Sequence, residues 1–215
     1  SSNEPRPAAL QVSGAVAANV FIGQNWATLN NTPFRKWKHH VHEGGCATPL
    51  IVHWPAGIPE SVQGQVRHHY VHAIDVLPTL LDVIGVEAPD EVGGVTQVPL
   101  DGVSFASTFA SDDAAEVHTV QYSEMLGCRA LYQDGWKAVS YHQIQIEEPG
   151  LDQAPWELYD LRADPSETND LAAVEPDRLD AMVERWWTEA EANQVLPLDN
   201  RPFSELVFQR EPSVS

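Results

Sequence analysis

Cationic side chains are scarce in this sequence: 12 Lys and Arg stand against 31 Asp and Glu, a formal net charge of −19 over 215 residues. A surface of that sign repels phosphate backbones and anionic headgroups, which argues against nucleic acid and membrane surfaces as partners. Solubility or a salt-tolerant host accounts for the acidity more simply than an acidic docking surface does. Cysteine is scarce too, and Cys46 and Cys128 have neither metal-ligand spacing nor the number for a disulfide framework. Two buried free thiols are expected, one disulfide being the alternative. No apolar run reaches the roughly 18 residues needed to cross a bilayer. The opening Ser-Ser-Asn-Glu-Pro-Arg-Pro has no initiator Met and no basic-then-apolar leader. It reads as a chain cut from something longer, soluble and with the cytoplasm as its favoured compartment.

Hydrophobic residues make up 43% of the chain, so the acidity does not signal disorder. Residues 1–20, rich in Pro, Ala, Ser and Gly, read as loop or frayed end. A polar, basic stretch from Asn30 to Gly45 carries Arg35, Lys36, Lys38 and the trio His39, His40 and His42. The short apolar run Thr48–Trp54, halted by Pro55, predicts a buried strand of an α/β sheet. Asp75 predicts the cap of a helix whose first turn tolerates Pro78. Leu77, Leu80, Leu81 and Ile84 would share one face of it, and Gly85 would end it.

Residues 86–118 are loop-rich. Beyond them, Arg129–Tyr132 and Trp136–Tyr141 flank Gln133-Asp134-Gly135, a hairpin signature. Trp156–Leu161 alternates as a further strand, and Asp164-Pro165-Ser166 makes the turn after it. Pro176 then opens a helix in which Leu179, Met182, Val183, Trp186 and Ala190 form one stripe, packed on the antiparallel sheet. Trp186-Trp187 is read as core and not as an aromatic binding surface.

Two stretches carry a family resemblance. Asn31-Thr32-Pro33-Phe34-Arg35, Lys38, Glu43-Gly44-Gly45 and Pro49 are similar to the sulfatase segment Asn-x-Pro-x-Arg…Lys-x4-Glu-Gly-Gly-x3-Pro. Arg129-Ala130, Trp136-Lys137, Glu157–Leu161 and Asp164-Pro165-x-Glu167 resemble the C-terminal strand-and-turn signature of the same family, with the Asp75…Pro78-Thr79 helix between them. The wording of 42–49 and 195–203 is similar to large bacterial arylsulfatases. This resemblance, spanning roughly residues 22 to 205, implies an α/β fold: the remnant of an alkaline-phosphatase-like sulfatase core, plus a C-terminal subdomain with a small antiparallel sheet and a packed helix. The expected division is a loop-rich N-terminal remnant at 1–29, core at 30–105, the C-terminal subdomain at 106–196 and an extended tail at 197–215.

The resemblance also implies cleavage of sulfate esters with a formylglycine nucleophile and calcium, neither of which this chain is expected to hold. Cys46-Ala-Thr-Pro and Cys128-Arg-Ala-Leu do not fit the Cys-x-Pro-x-Arg type sequence. The family's Asp-Asn metal pair belongs upstream of Asn31, so Asp199-Asn200 is a coincidence of letters. No metal ligand is therefore assigned, and His-His-x-His without flanking carboxylates matches no zinc pattern. His72 reads as a hydrogen-bonded structural residue.

The residue carried over is Lys38, as catalytic and sulfate-binding cation. It lies five residues before Glu43 in a segment leading to the expected strand, and ligands of open α/β sheets bind at strand ends. A compact ammonium suits a sulfate oxygen. Gly44-Gly45 would permit a close, left-handed turn there. A surface lysine in a basic loop is the plainer reading beside it. Arg35 is a second substrate-binding candidate with a structural ion pair as its alternative, and Lys36 is expected to be solvated.

By itself this polypeptide is expected to be inactive. Its partners would be a sulfate ester and the N-terminal part of the same enzyme. A phosphodiesterase or phosphonate hydrolase of the same superfamily, or a non-catalytic binding or scaffold protein, are the alternatives. The expected strand, lacking most of its neighbours, would leave an apolar face exposed.

Overall fold

The computed structural model describes residues 23–142 and 154–199. The readings of residues 1–20, of Asn200 and of most of the expected tail lie outside the described residues.

The best-packed part is a four-stranded antiparallel sheet, β3 (Val120–Met125), β4 (Cys128–Gln133), β5 (Trp136–Ser140) and β6 (Trp156–Asp160), paired in that order. Its hairpin turns are short and chemically specified. Asp134 and Gly135 join β4 to β5 with φ of 48° and 81°, and Leu126 and Gly127 join β3 to β4 with φ of 54° and 85°. Two successive left-handed residues match the right-handed twist of the flanking strands.

Strand alternation then sorts the side chains. One face carries Leu131, Ala138 and Leu158, packed against Met182, Trp186 and Ala190 of α4 (Pro176–Ala192). The Trp186 indole N–H donates to the Ser123 carbonyl at 3.1 Å, so the fully buried ring leaves no polar atom unpaired. The other face carries Cys128, Ala130, Val139 and Tyr159, and it receives Val41 from the basic stretch. This second face positions the site.

Before the sheet come α1 (Gly23–Asn31), α2 (Glu43–Cys46), α3 (Val76–Ile84) and a small hairpin of β1 (Glu91–Val92) and β2 (Val95–Thr96). The helix α1 lies across the end of the stretch expected to be loop-rich. Thr28, Asn31 and Thr32 bond back to carbonyls four residues earlier, which satisfies their polar groups within the helix.

Helix α3 ends at Gly85, φ 68°, as expected. Asp75 stands before it but does not cap it in the expected way. A 3₁₀ turn over Ala73–Asp75 precedes α3, and the buried Asp75 carboxylate accepts instead from His72 N (2.7 Å), Val103 N (2.9 Å) and His118 Nε2 (2.7 Å). His72 completes that turn by accepting from Ile74 N at 3.3 Å, a structural role.

The expected strand at Thr48–Trp54 is not formed. The run is extended but pairs with no strand, and its apolar side chains face outward, Ile51 at 89% exposure. A doubly buried strand takes its hydrogen bonds and its cover from neighbours, and no neighbouring strand stands beside it among the described residues. The same holds for the α3 stripe, where Leu77, Leu80 and Ile84 are all more than half exposed. Both cysteines are free. Cys128 is buried, but Cys46 is exposed, against expectation. Among the described residues no helix is long and apolar enough to cross a membrane.

Candidate functional site

Residues 35–44 form a loop closed at its neck. Gly44 N donates to the Arg35 carbonyl at 2.9 Å, and a Cβ on Gly44 would collide with the carbonyl oxygens of Arg35 and Lys36. A Cβ on Gly45 would strike the His40 carbonyl. The two glycines are therefore required for close approach, as the sequence suggested. Neither has a left-handed backbone; that conformation falls to Lys36 (φ 66°) and His39 (φ 79°). Lys38 lies between these two, exposed, and among the described residues no ion pair engages it. With no sheet end formed at 48–54, it stands at the loop surface and reaches no strand.

Lys36 departs from expectation. Its ammonium sits 4.3 Å from the centre of the Tyr141 ring, a cation–π contact, and the residue is half-buried.

Two polar clusters fasten this loop to the sheet. In the first, Arg35 Nη1 donates to Tyr159 Oη (2.6 Å) and to the Glu167 carbonyl (2.7 Å), and lies 3.4 Å from Glu157 Oε2. Tyr159 Oη donates in turn to Glu157 Oε2 at 2.7 Å. The fully buried His42 ring places Nε2 3.2 Å from the same oxygen, and the carboxylate assigns the proton to that nitrogen. The His42 hydrogen bond comes first among the forces that hold Glu157 down at about 2; burial opposes it, while Tyr159 and Arg35 reinforce it. Burial, and then Glu157, push the Tyr159 hydroxyl up. Arg35 thus makes the structural ion pair that the sequence offered as one of its two roles.

In the second cluster Lys137, on β5 opposite Tyr159 of β6, turns its ammonium to Glu43 Oε1 (2.6 Å) and Glu167 Oε1 (3.3 Å). Burial pulls the Lys137 pKa down, and the two carboxylates outweigh it and raise it. Glu167 is fully buried. Its Oε2 accepts from Glu43 N at 2.9 Å, while Oε1 lies within ion-pair range of Lys137 but off a hydrogen-bonding angle.

In the sequence, Lys137, Glu157 and Glu167 stand out only as letters of the family motif. A lysine inside the otherwise apolar Trp136–Val139 alternation was the signal that could have marked this cluster.

Among the described residues no group of three or more His, Cys, Asp or Glu could hold a metal ion. Glu43 and Glu167, which do come together, are already paired with Lys137. This donor set does not fit calcium, which takes six to eight oxygens.

The comparisons with known proteins agree with this architecture. The model of the family "N-sulphoglucosamine sulphohydrolase, C-terminal" matches residues 35–191, beginning at Arg35. An uncharacterized sulfatase of Schizosaccharomyces pombe is 30% identical over 185 residues, covering 84% of this chain and 32% of that protein. Arylsulfatase K of Rattus norvegicus is 28% identical over 149 residues, covering 66% of this chain and 24% of its own length. The chain thus spans about a quarter to a third of the curated relatives it matches. Among solved structures, Ps i-CgsB superposes with a TM-score of 0.57 at 23% identity, over 81% of this chain and 36% of that one. That likeness speaks for the fold, which is the alkaline-phosphatase-like α/β fold of sulfatases in its C-terminal subdomain. The chain belongs to the sulfatase family, of which it is the C-terminal portion.

Proposed function

We propose that this chain serves as the C-terminal portion of an arylsulfatase-like sulfuric ester hydrolase, and that its contribution to the reaction is Lys38. The observation that carries the reading is the loop itself. Its neck is closed, its two ends are fastened to a well-packed sheet, and the cation at its surface has no ion-pair partner among the described residues. Arg35 holds the loop and is not assigned to substrate.

In such an enzyme Lys38 would donate to a sulfate oxygen and offset the charge that grows on it as the ester bond breaks. The calcium and formylglycine expected of the family find no ligand set or fitting sequence in the described residues, so no step is assigned to them on this chain. The N-terminal part of the same enzyme would supply both. It would also cover the exposed apolar side chains of Leu50, Ile51, Leu77, Leu80 and Ile84. The proposed division remains 30–105 for the core and 106–196 for the C-terminal subdomain. This polypeptide alone is proposed to turn over no sulfate ester.

The test is Lys38→Ala in the complete enzyme. A lost charge-assisted hydrogen bond of about 1.5–3 kcal/mol predicts a fall of roughly tenfold to a few hundredfold in kcat/KM, seen in kcat if the contact tightens in the transition state. Lys38→Arg should rescue poorly, because a planar fork replaces a point charge. Lys36 is unsuitable as the comparison, given its contact with Tyr141. Arg185, exposed on α4 and paired with Glu189, replaces it. If Lys38→Ala and Arg185→Ala both match wild type at equal melting temperature, Lys38 is a surface lysine.

A further inference from the structure

Both ends of the 35–44 loop converge on Glu167. Arg35 donates to its backbone carbonyl at 2.7 Å, and Glu43 N donates to its carboxylate at 2.9 Å. The Glu43 side chain reaches it indirectly, through the shared ammonium of Lys137. Glu167 has no exposed surface, and its backbone is left-handed at φ 54°. A glutamate in that conformation, with its charge removed from water, is costly on both counts. A neutral glutamine could accept the same Glu43 N–H. What the charge adds is the pairing with Lys137, and through Lys137 a fixed position for Glu43 at the end of the loop.

We propose that Glu167 is a positioning residue that acts through Lys38, setting where the loop presents its ammonium to a sulfate group. This rests on the reading of Lys38 as the sulfate-contacting cation. Glu167 itself is too deeply buried to touch substrate. Its influence travels along a short covalent path, since the loop neck it fixes is only a few residues from Lys38 on either side. Displacing a catalytic group by about 1 Å costs on the order of a hundredfold in rate, so loosening the neck should be felt in kcat more than in KM.

A double-mutant cycle in the complete sulfatase, with 4-nitrophenyl sulfate as substrate, separates positioning from plain stability. Glu167→Gln should lower kcat by about ten- to a hundredfold with KM within about threefold. Adding it to Lys38→Ala should cost nothing further, because the group it positions is gone. Amide hydrogen exchange on the present chain supplies a readout independent of turnover. The Glu43 and Gly44 amides should exchange at least about tenfold faster in Glu167→Gln, while those of β4 and β5 stay as they are. If Glu167→Gln does not fold, Arg35→Lys replaces it, since it loosens the other end of the loop and should show the same non-additivity. Losses that multiply in the double variant, or a Glu167→Gln enzyme with wild-type kcat, overturn the proposal while leaving Lys38 in place. A Lys38→Ala enzyme with wild-type kcat/KM overturns the Lys38 reading, and this proposal falls with it.

Discussion

Replacing Lys137 by Met tests whether the loop is held by charge. Lys137 is 5% exposed at its side chain, Glu43 16% and Glu167 not at all. Met keeps most of the aliphatic stem, so the cavity contribution is small. What is lost is the one cation between two carboxylates. Breaking a buried ion pair from one side costs about 3–5 kcal/mol, a large share of the roughly 5–15 kcal/mol that holds a domain of this size. Urea unfolding at pH 7, followed by tryptophan fluorescence, should register a loss of that order.

A second substitution distinguishes charge from shape. Adding Glu167→Gln to Lys137→Met should recover part of the loss, because it removes the stranded charge. A deficit below about 1 kcal/mol, or one untouched by Glu167→Gln, would show that the cluster is held by packing and that the argument from charge is wrong.

Acid stability follows from groups whose folded pKa values lie below their ordinary ones. Glu157, held at about 2, contributes stability that is complete above its ordinary 4.5 and is lost as pH falls toward 2; with its side chain 31% exposed, about 1–2 kcal/mol remains after solvent screening, and Glu157→Gln should remove that leg of the profile. His40 is held at about 4, first by burial and then by the charges of Lys36, His42 and His39, so the unfolded chain takes up the proton first and stability should fall between pH 6.5 and 4; thermal melts showing no such leg in wild type, or the same leg in His40→Gln, would refute this. The exposed stripe of α3 and the Leu50–Trp54 run should bind an environment-sensitive apolar dye, and Leu80→Glu with Ile84→Lys should reduce the signal without lowering the melting temperature; a chain that binds no dye contradicts the exposure of this face.

Local chemistry was legible in the sequence where local chemistry decides the outcome. Asp134-Gly135 predicts a turn because few residues tolerate two successive left-handed conformations. Pro176 predicts the start of α4, and the stripe from Leu179 to Ala190 predicts its buried face, because a helix brings those positions together by itself. The Leu126-Gly127 turn uses the same chemistry, and with it β3 could have been read. The polar clusters obey a different logic. Lys137 and Glu43 are 94 residues apart, and Glu43 and Glu167 are 124 apart. No spacing rule reaches that far, and only the register of β5 against β6 shows that Lys137 and Tyr159 face the loop together.

The failed strand at 48–54 and the successful loop at 35–44 differ in what each needs from the rest of the protein. A buried strand is defined by its neighbours: remove them and the same residues keep an extended backbone with nothing to pair. The loop is defined by directional contacts that are all present here. Those contacts are Gly44 N to Arg35 O, Arg35 to Tyr159 and Glu167, Glu43 N to Glu167, and Lys137 between two carboxylates. Every partner lies between residues 35 and 167, inside the span that the family model matches. Hydrophobic burial is non-directional and would hold the loop somewhere on the sheet. Hydrogen bonds and ion pairs fix it in one place, at some cost in stability. The role proposed for Lys38, meeting a sulfate oxygen at hydrogen-bond distance, requires that second kind of attachment, and the loop has it.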